Sequence, residues 1–440
     1  MSLGQSLVEI NGILRYRTVL PGYNAKDPAL DPRYVTFDST WQNTLRLMAS
    51  GTVAGSSLST SIYQFRNSAI GGTVIANRIV RVIPVPGATV KTPALVWAVA
   101  PAGNVQKLTV VGNQVFQTPV PFQKGYRMCS VNLKNDAIHV SPSYNNRDYT
   151  YLVFKTDPTT TEESGGNGAR IGLHPLYGMG AFFSRPGFNH LTCSLDDMML
   201  TSARNMAQVY ETGYVTVDAT YSGEPFGNSG GGGTIVNLRG SYPDFPPVIA
   251  FRTSTGAISR LMSVFWLSPS QILVTGASSG NQVRFAVLSA TPDYIPDPDT
   301  RAVRRVRMVN GSLDITKRNI DWSEATSDAD FLFRSSRQTA QFNGMLPFPT
   351  VLNSGFYPLH TPSPAGAGPP FVFMLAFEAT CGWWCGCGYV DTQDIVGITQ
   401  QFNPRFRGAV ISNTHYQWYR DSQYSNNING WVTTMNISDF

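Results

Sequence analysis

Cys381-Gly382-Trp383-Trp384-Cys385-Gly386-Cys387 is the densest group of reactive side chains in the chain. Thiolates ligate soft metals and exchange disulfides, so the cluster needs a chemical account. In an extended strand, alternation places Cys381, Trp383, Cys385 and Cys387 on one face. A zinc site uses paired cysteines two to four residues apart plus two further ligands. Here only three sulfurs occur together, and His360 stands at no ligand spacing from them. The cluster therefore reads as buried or turn thiols in the reduced state, with a disulfide or a metal as alternatives. No metal or cofactor is expected. Five cysteines in 440 residues, an odd number, do not make a disulfide framework.

Gly227-Asn228-Ser229-Gly230-Gly231 resembles the nucleophile loop of trypsin-like serine proteases. Such a serine needs a histidine base oriented by a carboxylate. His139, His174 and His190 lie upstream, but none sits in an alanine-rich His-Cys context. Asp196 and Asp197 follow His190 too closely for that family's spacing, and Gly232-Gly233 continue where a proline is usual. The stretch reads as a hairpin loop. It is no phosphate-binding loop either, because no Lys-Ser/Thr follows. No catalytic residue is assigned, and the chain is not expected to be an enzyme.

Two further groups invite a chemical reading. Asp38-Ser39-Thr40-Trp41 combines a carboxylate, hydroxyls and an indole, and we compare it with Ser194-Leu195-Asp196-Asp197 and Arg334-Ser335-Ser336-Arg337. The carboxylate drifts while small polar residues persist, which favours a turn or cap. The C-terminal aromatics Tyr416, Trp418, Tyr419, Tyr424 and Trp431 could stack on a glycan or bury at a subunit contact.

The elements that would position these groups are strands. Charged residues make up only 14% of the chain, while 40 Gly, 29 Pro and 19 Tyr accompany abundant Thr, Ser, Asn and Val. Polarity thus comes from hydroxyls and amides, which suits short strands and tight turns. A net charge of +5 is too mild to argue for nucleic acid. The run Arg301-Ala302-Val303-Arg304-Arg305-Val306-Arg307 reads as a solvated strand or a neighbour contact. The first residues lack the pattern of a secretory signal, and the apolar runs 94–100 and 371–377 are too short to span a membrane. Membrane insertion is not expected, and synthesis is expected in the cytoplasm.

Tyr34–Val53 organises the rest. A strand at Tyr34–Phe37, a turn or short helix at Trp41–Met48 capped by Asp38 or Ser39, and Gly51 before a new strand form a frame. Leu191–Val215 repeats it, with Gly213 matching Gly51, and Asp330–Met345 echoes it. Proline-led strands begin after Pro93, Pro247 and Pro370, and 403–413 is set beside 281–290. These markers predict tandem β-sandwich-like domains, three diverged copies of one module at 1–155, 170–290 and 301–440. Linkers fall at 156–169 and 291–300. Helix is confined to short pieces such as Thr201–Tyr210. Phe37, Asp38, Ser39, Trp41, Gly51 and Gly213 are the frame residues.

Pro21, Gly22 and Tyr23, then Val35, Phe37, Asp38, Ser39 and Trp41, then Gly51 and Val53, resemble small virion-associated proteins of tailed bacteriophages. The likeness is carried by the first 60 or so residues and only faintly by the two later copies. It implies a structural component of the virion, in the tail more than the head, whose partners are other virion proteins and copies of itself. A glycan-binding adhesion protein at the tail extremity, and a head decoration or collar protein, are the alternatives. No functional residue transfers from the resemblance.

Overall fold

The computed structural model describes residues 5–10, 13–19, 22–30, 35–38, 46–67, 73–89, 92, 94–155, 169–175, 177–184, 188–193, 198–202, 207–218, 220–222, 225–226, 232–252, 262–277, 279–289, 303–309, 312–317, 319–327, 330–335, 337, 341–347, 355–358, 371–378, 382–386, 389–390, 406–410, 415–420 and 428–436. From 341 onward the description is of the backbone.

The chain is all-β. Its first third contains β1 (Gln5–Ile10), β2 (Ile13–Val19), β3 (Val35–Asp38), β4 (Arg46–Ala54), β5 (Ser59–Asn67), β6 (Thr73–Pro84), β7 (Ala94–Val111), β8 (Gln114–Met128), β9 (Ser130–Lys134), β10 (Ala137–Ser141) and β11 (Asp148–Lys155). The middle contains β12 (Ala169–His174), β13 (Gly178–Ser184), β14 (Met198–Thr201), β15 (Val209–Thr216), β16 (Tyr221–Ser222), β17 (Gly232–Asn237), β18 (Val248–Arg252), β19 (Ser263–Ser268), β20 (Gln271–Ala277) and β21 (Gln282–Leu288). The last part contains β22 (Val306–Val309), β23 (Ser312–Thr316), β24 (Phe331–Arg334), β25 (Gln341–Pro347), β26 (Gly355–Pro358), β27 (Phe371–Glu378), β28 (Gly382–Gly386), β29 (Tyr389–Val390), β30 (Phe406–Val410), β31 (His415–Arg420) and β32 (Ile428–Asn436).

Each third opens with a small antiparallel sheet of three strands, in the orders β1-β2-β3, β12-β13-β14 and β22-β23-β24. All three carry a bulge at the same place. Thr18 faces Phe37 but Val19 faces Val35; Phe183 faces Leu200 but Ser184 faces Met198; Ile315 faces Phe333 but Thr316 faces Phe331. One extra residue on the third strand bends it away from its partner.

Behind each small sheet come two further groups of three strands. The first, second and last thirds contain β4-β11-β7, β15-β21-β18 and β25-β32-β27, each with its first strand, last strand and proline-led strand in that order. They also contain β6-β10-β9, β17-β20-β19 and β26-β31-β30. A second bulge recurs in the opening strand of each, between Leu47 and Ala49, Val209 and Glu211, and Phe342 and Met345. In the first two thirds the two groups share one apolar core, including Leu95, Trp97, Leu152, Ile138, Val140, Ile249, Phe285, Trp266 and Leu273. Burial of such β-branched and aromatic side chains is the main favourable term in a sheet protein of this kind.

The sheets run across the thirds. β8, the hairpin partner of β7, pairs with β19, so one eight-stranded sheet runs β17-β20-β19-β8-β7-β11-β4 with β16 at its side. β28, the hairpin partner of β27, pairs with β9 at Cys385–Val131, joining β25-β32-β27-β28 to β9-β10-β6-β5. The same strand exchange therefore links the first third to the second, and the third to the first.

Several sequence expectations are corrected here. Thr201–Tyr210 is not a helix: Thr201 ends β14, and Val209 and Tyr210 open β15. Leu47 and Met48, placed above in a turn or short helix, belong to β4, and Gly51 lies inside that strand rather than ending a turn. A 3-10 turn at Gly55–Ser57 is the helical element among the described residues. Finally, 403–413 does not correspond to 281–290. The strand between β25 and β27 is β32, whereas β30 occupies the place of β19. Alternating apolar runs look alike, and only pairing tells neighbours apart. The proposed linkers lie outside the described residues apart from Ala169, which opens β12.

Candidate interaction surfaces

The frame residues divide by what surrounds them. Asp38 and Phe37 sit on β3 opposite Arg17 and Thr18, while Ser39 and Trp41 lie outside the described residues. The register that aligns the small sheets shows what a serine does at that position. Ser202 and Ser335 each follow the last residue of the third strand. Ser202 donates its N–H to the Ala181 carbonyl at 3.0 Å, and its Oγ accepts the Ala181 N–H at 3.2 Å. Ser335 makes the same pair of bonds with Leu313, both at 2.8 Å. Both serines are buried. The serine thus closes the sheet where the ladder ends, satisfying a buried backbone donor. This corrects the alignment above. Thr201, not Ser194, stands in register with Asp38.

Gly51 and Gly213 both lie beneath an aromatic ring on the neighbouring strand. A Cβ on Gly51 would come 2.9 Å from the Tyr151 hydroxyl, and one on Gly213 would come 2.6 Å from the Phe285 ring. Tyr151 is paired with Gly51, and Phe285 with Gly213. Absence of a side chain is what lets each ring lie flat on the sheet, which is why this glycine recurs mid-strand despite its entropic cost.

The three small sheets meet at a hub. Tyr16, Ala181 and Leu313 are in register with one another, and all three are buried in one cluster with Phe183, Leu200, Ile315 and Phe333. Tyr16 stacks on Phe183 with ring centroids 4.8 Å apart. Burial, and next the nearby Asp314 carboxylate, hold its phenol protonated far above its ordinary range. Asp314 itself is paired with Arg307 and Arg334.

Arg304, Arg305 and Arg307 of the basic run all bond within the chain. Arg304 binds Asp321 at 3.1 Å and lies over the Trp322 ring at 5.1 Å. Those bonds, Arg304 first and then Ser323, hold the Asp321 carboxyl well below the usual carboxylate range. Arg305 is buried and donates to the carbonyls of Thr316 and Ser202, each at 3.1 Å. Gln208, at the start of β15, ties the second third to the last by donating to the Arg334 and Arg337 carbonyls and accepting the Arg334 N–H.

The other candidates are not drawn into one site. Residues 227–231 lie outside the described residues; the flanking Phe226 is buried, and its carbonyl accepts bonds from Arg127 and Tyr144. His174 stacks with Tyr177, and its Nε2 is 2.7 Å from the His190 carbonyl. Cys385 lies on β28 opposite Leu375 and Val131, while Cys381 and Cys387 are outside the described residues. No group of metal-ligating side chains forms among the described residues. The C-terminal aromatics split. Tyr416, Trp418 and Tyr419 are on β31, an inner strand between β26 and β30; Trp431 is on β32 in another sheet; Tyr424 is outside the described residues.

His139 on β10 is nearly buried, and burial first, then the Lys134 ammonium, lower its pKa from 6.5 to about 4. The fold therefore prefers the neutral ring. This contribution is complete above the unfolded value and is lost as pH falls toward the folded one. The urea midpoint is expected to drop between about pH 7 and about pH 5, and to drop less in His139→Gln. An identical drop in the variant would assign the effect to other groups.

What sequence reading missed is the β7–β8 arm. The hairpin is packed on the body as far as Val105 and Phe122 and bonded to β16 and Thr220 as far as Leu108; beyond it, Val110, Val111, Val115 and Phe116 at its tip are exposed. Leu108–Gln123 contains no charged residue, a signal that composition averaged over the whole chain conceals. Among the described residues no helix is long and apolar enough to cross a membrane. No family model, no curated protein and no solved structure matches the chain.

Proposed function

We propose that the chain is a structural component of a tailed-bacteriophage virion, placed in the tail, that acts through contacts with neighbouring subunits. The observation that carries this reading is the threefold recurrence of one plan within a single chain. Strand order, both bulges and, in the last two thirds, the serine closure recur. We take the thirds as diverged copies of one module. Strand exchange between copies makes them one block, and a block with repeated faces suits a repeating assembly. The phage resemblance of the Tyr34–Val53 region supplies the kind of assembly. Exposed apolar side chains on the arm and elsewhere supply contact surface, as subunit interfaces require.

Mass spectrometry of purified particles tests this, followed by separation of heads from tails. The chain is expected in intact particles and in the tail fraction. Its absence from particles would end the virion reading, and its recovery with heads alone would move it to a decoration or collar position.

A further inference from the structure

The three small sheets carry different charges at one register position. In the last third Arg307 stands opposite Asp314, Asp314 stands opposite Arg334, and the carboxylate pairs with both guanidinium groups. In the first third the middle position holds Arg17, opposite Asp38. In the second it holds Phe182, between Arg170 on β12 and Thr201 on β14. Arg170 therefore occupies the place of Arg307, while a buried ring takes the place of the carboxylate. The Arg170 Nε is buried and has no hydrogen-bond partner among the described residues. Buried donors are ordinarily satisfied, so this one calls for an acceptor.

Two histidines share this corner. The His174 ring lies against the Phe182 ring, with centroids 4.6 Å apart, and its Nε2 is 2.7 Å from the His190 carbonyl. That bond holds His190 to the strand that carries Arg170. The His190 ring is half-buried; burial first, then the Arg170 guanidinium and His174, lower its pKa. Arg170 is thus near enough to oppose the charge of His190, and no carboxylate among the described residues acts on that ring in the opposite sense. Gly172 lies between Arg170 and His174 along β12, and where its side chain would stand no atom comes within 4 Å. We propose that this corner binds an oxyanion, the carboxylate or phosphate group of a ligand, between Arg170 and His190. The forked guanidinium matches two oxygens, and the protonated imidazole supplies a further donor. The ligand takes the place that the Asp314 carboxylate fills beside Arg307.

The test is an NMR titration of the five histidines in the full chain, run in sodium chloride and then in sodium acetate or inorganic phosphate at equal ionic strength. The His190 signal is the one lost in His190→Gln. An oxyanion favours the protonated ring, so the midpoint of His190 is expected to rise by about one pH unit, equivalent to about tenfold tighter binding to the charged form. A larger shift in acetate assigns a carboxylate ligand, and a larger one in phosphate a phosphoryl group. Arg170→Gln should abolish the shift. Arg304→Gln, whose partner is Asp321, should leave it unchanged. Should Arg170→Gln misfold, Arg170→Lys keeps the charge without the fork and is expected to show a smaller shift. A wild-type midpoint that is the same in all three salts overturns the proposal, because the corner then has no room for an outside anion. It is equally overturned by a shift that survives Arg170→Gln, or Arg170→Lys where that variant is the one read. None of these outcomes depends on whether the chain is found in particles.

Discussion

Trp97→Ala is expected to lower unfolding stability by about 3–5 kcal/mol, the range for deleting a large buried aromatic. Trp97 is fully buried in β7, and its Nε1–H donates to the Val248 carbonyl of β18 at 3.1 Å. It therefore belongs to the first third by sequence and bonds to the second by structure. Removal opens a cavity in the shared core and leaves the Val248 carbonyl without this donor. Trp97→Phe separates the two effects. It keeps a six-membered ring in the core while removing the N–H donor and the smaller part of the ring volume, for a cost of about 1–2 kcal/mol. Urea unfolding with unchanged m-values would read both as stability changes. If the first two thirds fold as one cooperative unit, Trp97→Ala shifts a single transition. Two separated transitions in the wild-type chain would contradict the shared core.

Glu211→Ala is expected to cost about 3–5 kcal/mol as well, for a polar reason. The carboxylate is buried on β15 and accepts the Arg239 N–H at 3.0 Å, the Gly240 N–H at 3.1 Å and the Tyr242 hydroxyl at 3.1 Å. Truncation strands those donors where little water reaches, and each orphaned group costs about 1–3 kcal/mol, with incomplete additivity. The Arg239 guanidinium, 3.4 Å from Glu211, is 63% exposed. Arg239→Gln should therefore cost under about 1 kcal/mol, as exposed ion pairs do. Equal losses in Glu211→Ala and Arg239→Gln would show that the ion pair, rather than the backbone clamp, sets the energy.

Glu211 also shows where sequence reading stops. It follows a bulge, because Val209 faces Leu288 while Glu211 faces Val287. In a regular strand Glu211 would share the face of the buried Val209; the extra residue shifts it by one position, where its carboxylate accepts bonds from the loop at Arg239, Gly240 and Tyr242. Its register counterpart in the first third is Ala49, so comparison of the thirds gives no hint of the role. Gly51 and Gly213 were legible as a matched pair, yet their purpose depends on Tyr151 and Phe285, far along the chain. The serine after the third strand was legible as a cap, but its second copy was misplaced until the bulges set the register.

What the sequence determined by itself is local. Low charge, β-branched and aromatic runs and frequent turn residues settle the all-β class, and Asn11-Gly12 between two alternating runs marks the hairpin whose register closes at Ile10–Ile13. Tertiary structure decided which strands are neighbours. It set β32 rather than β30 beside β27, joined β8 to β19 and β28 to β9, and gathered Tyr16, Ala181 and Leu313 into one hub. The physical reason is that a strand's own residues specify an edge and two faces. Its partner is chosen by bulges, glycine–aromatic fits and cross-strand burial, which depend on residues far away along the chain.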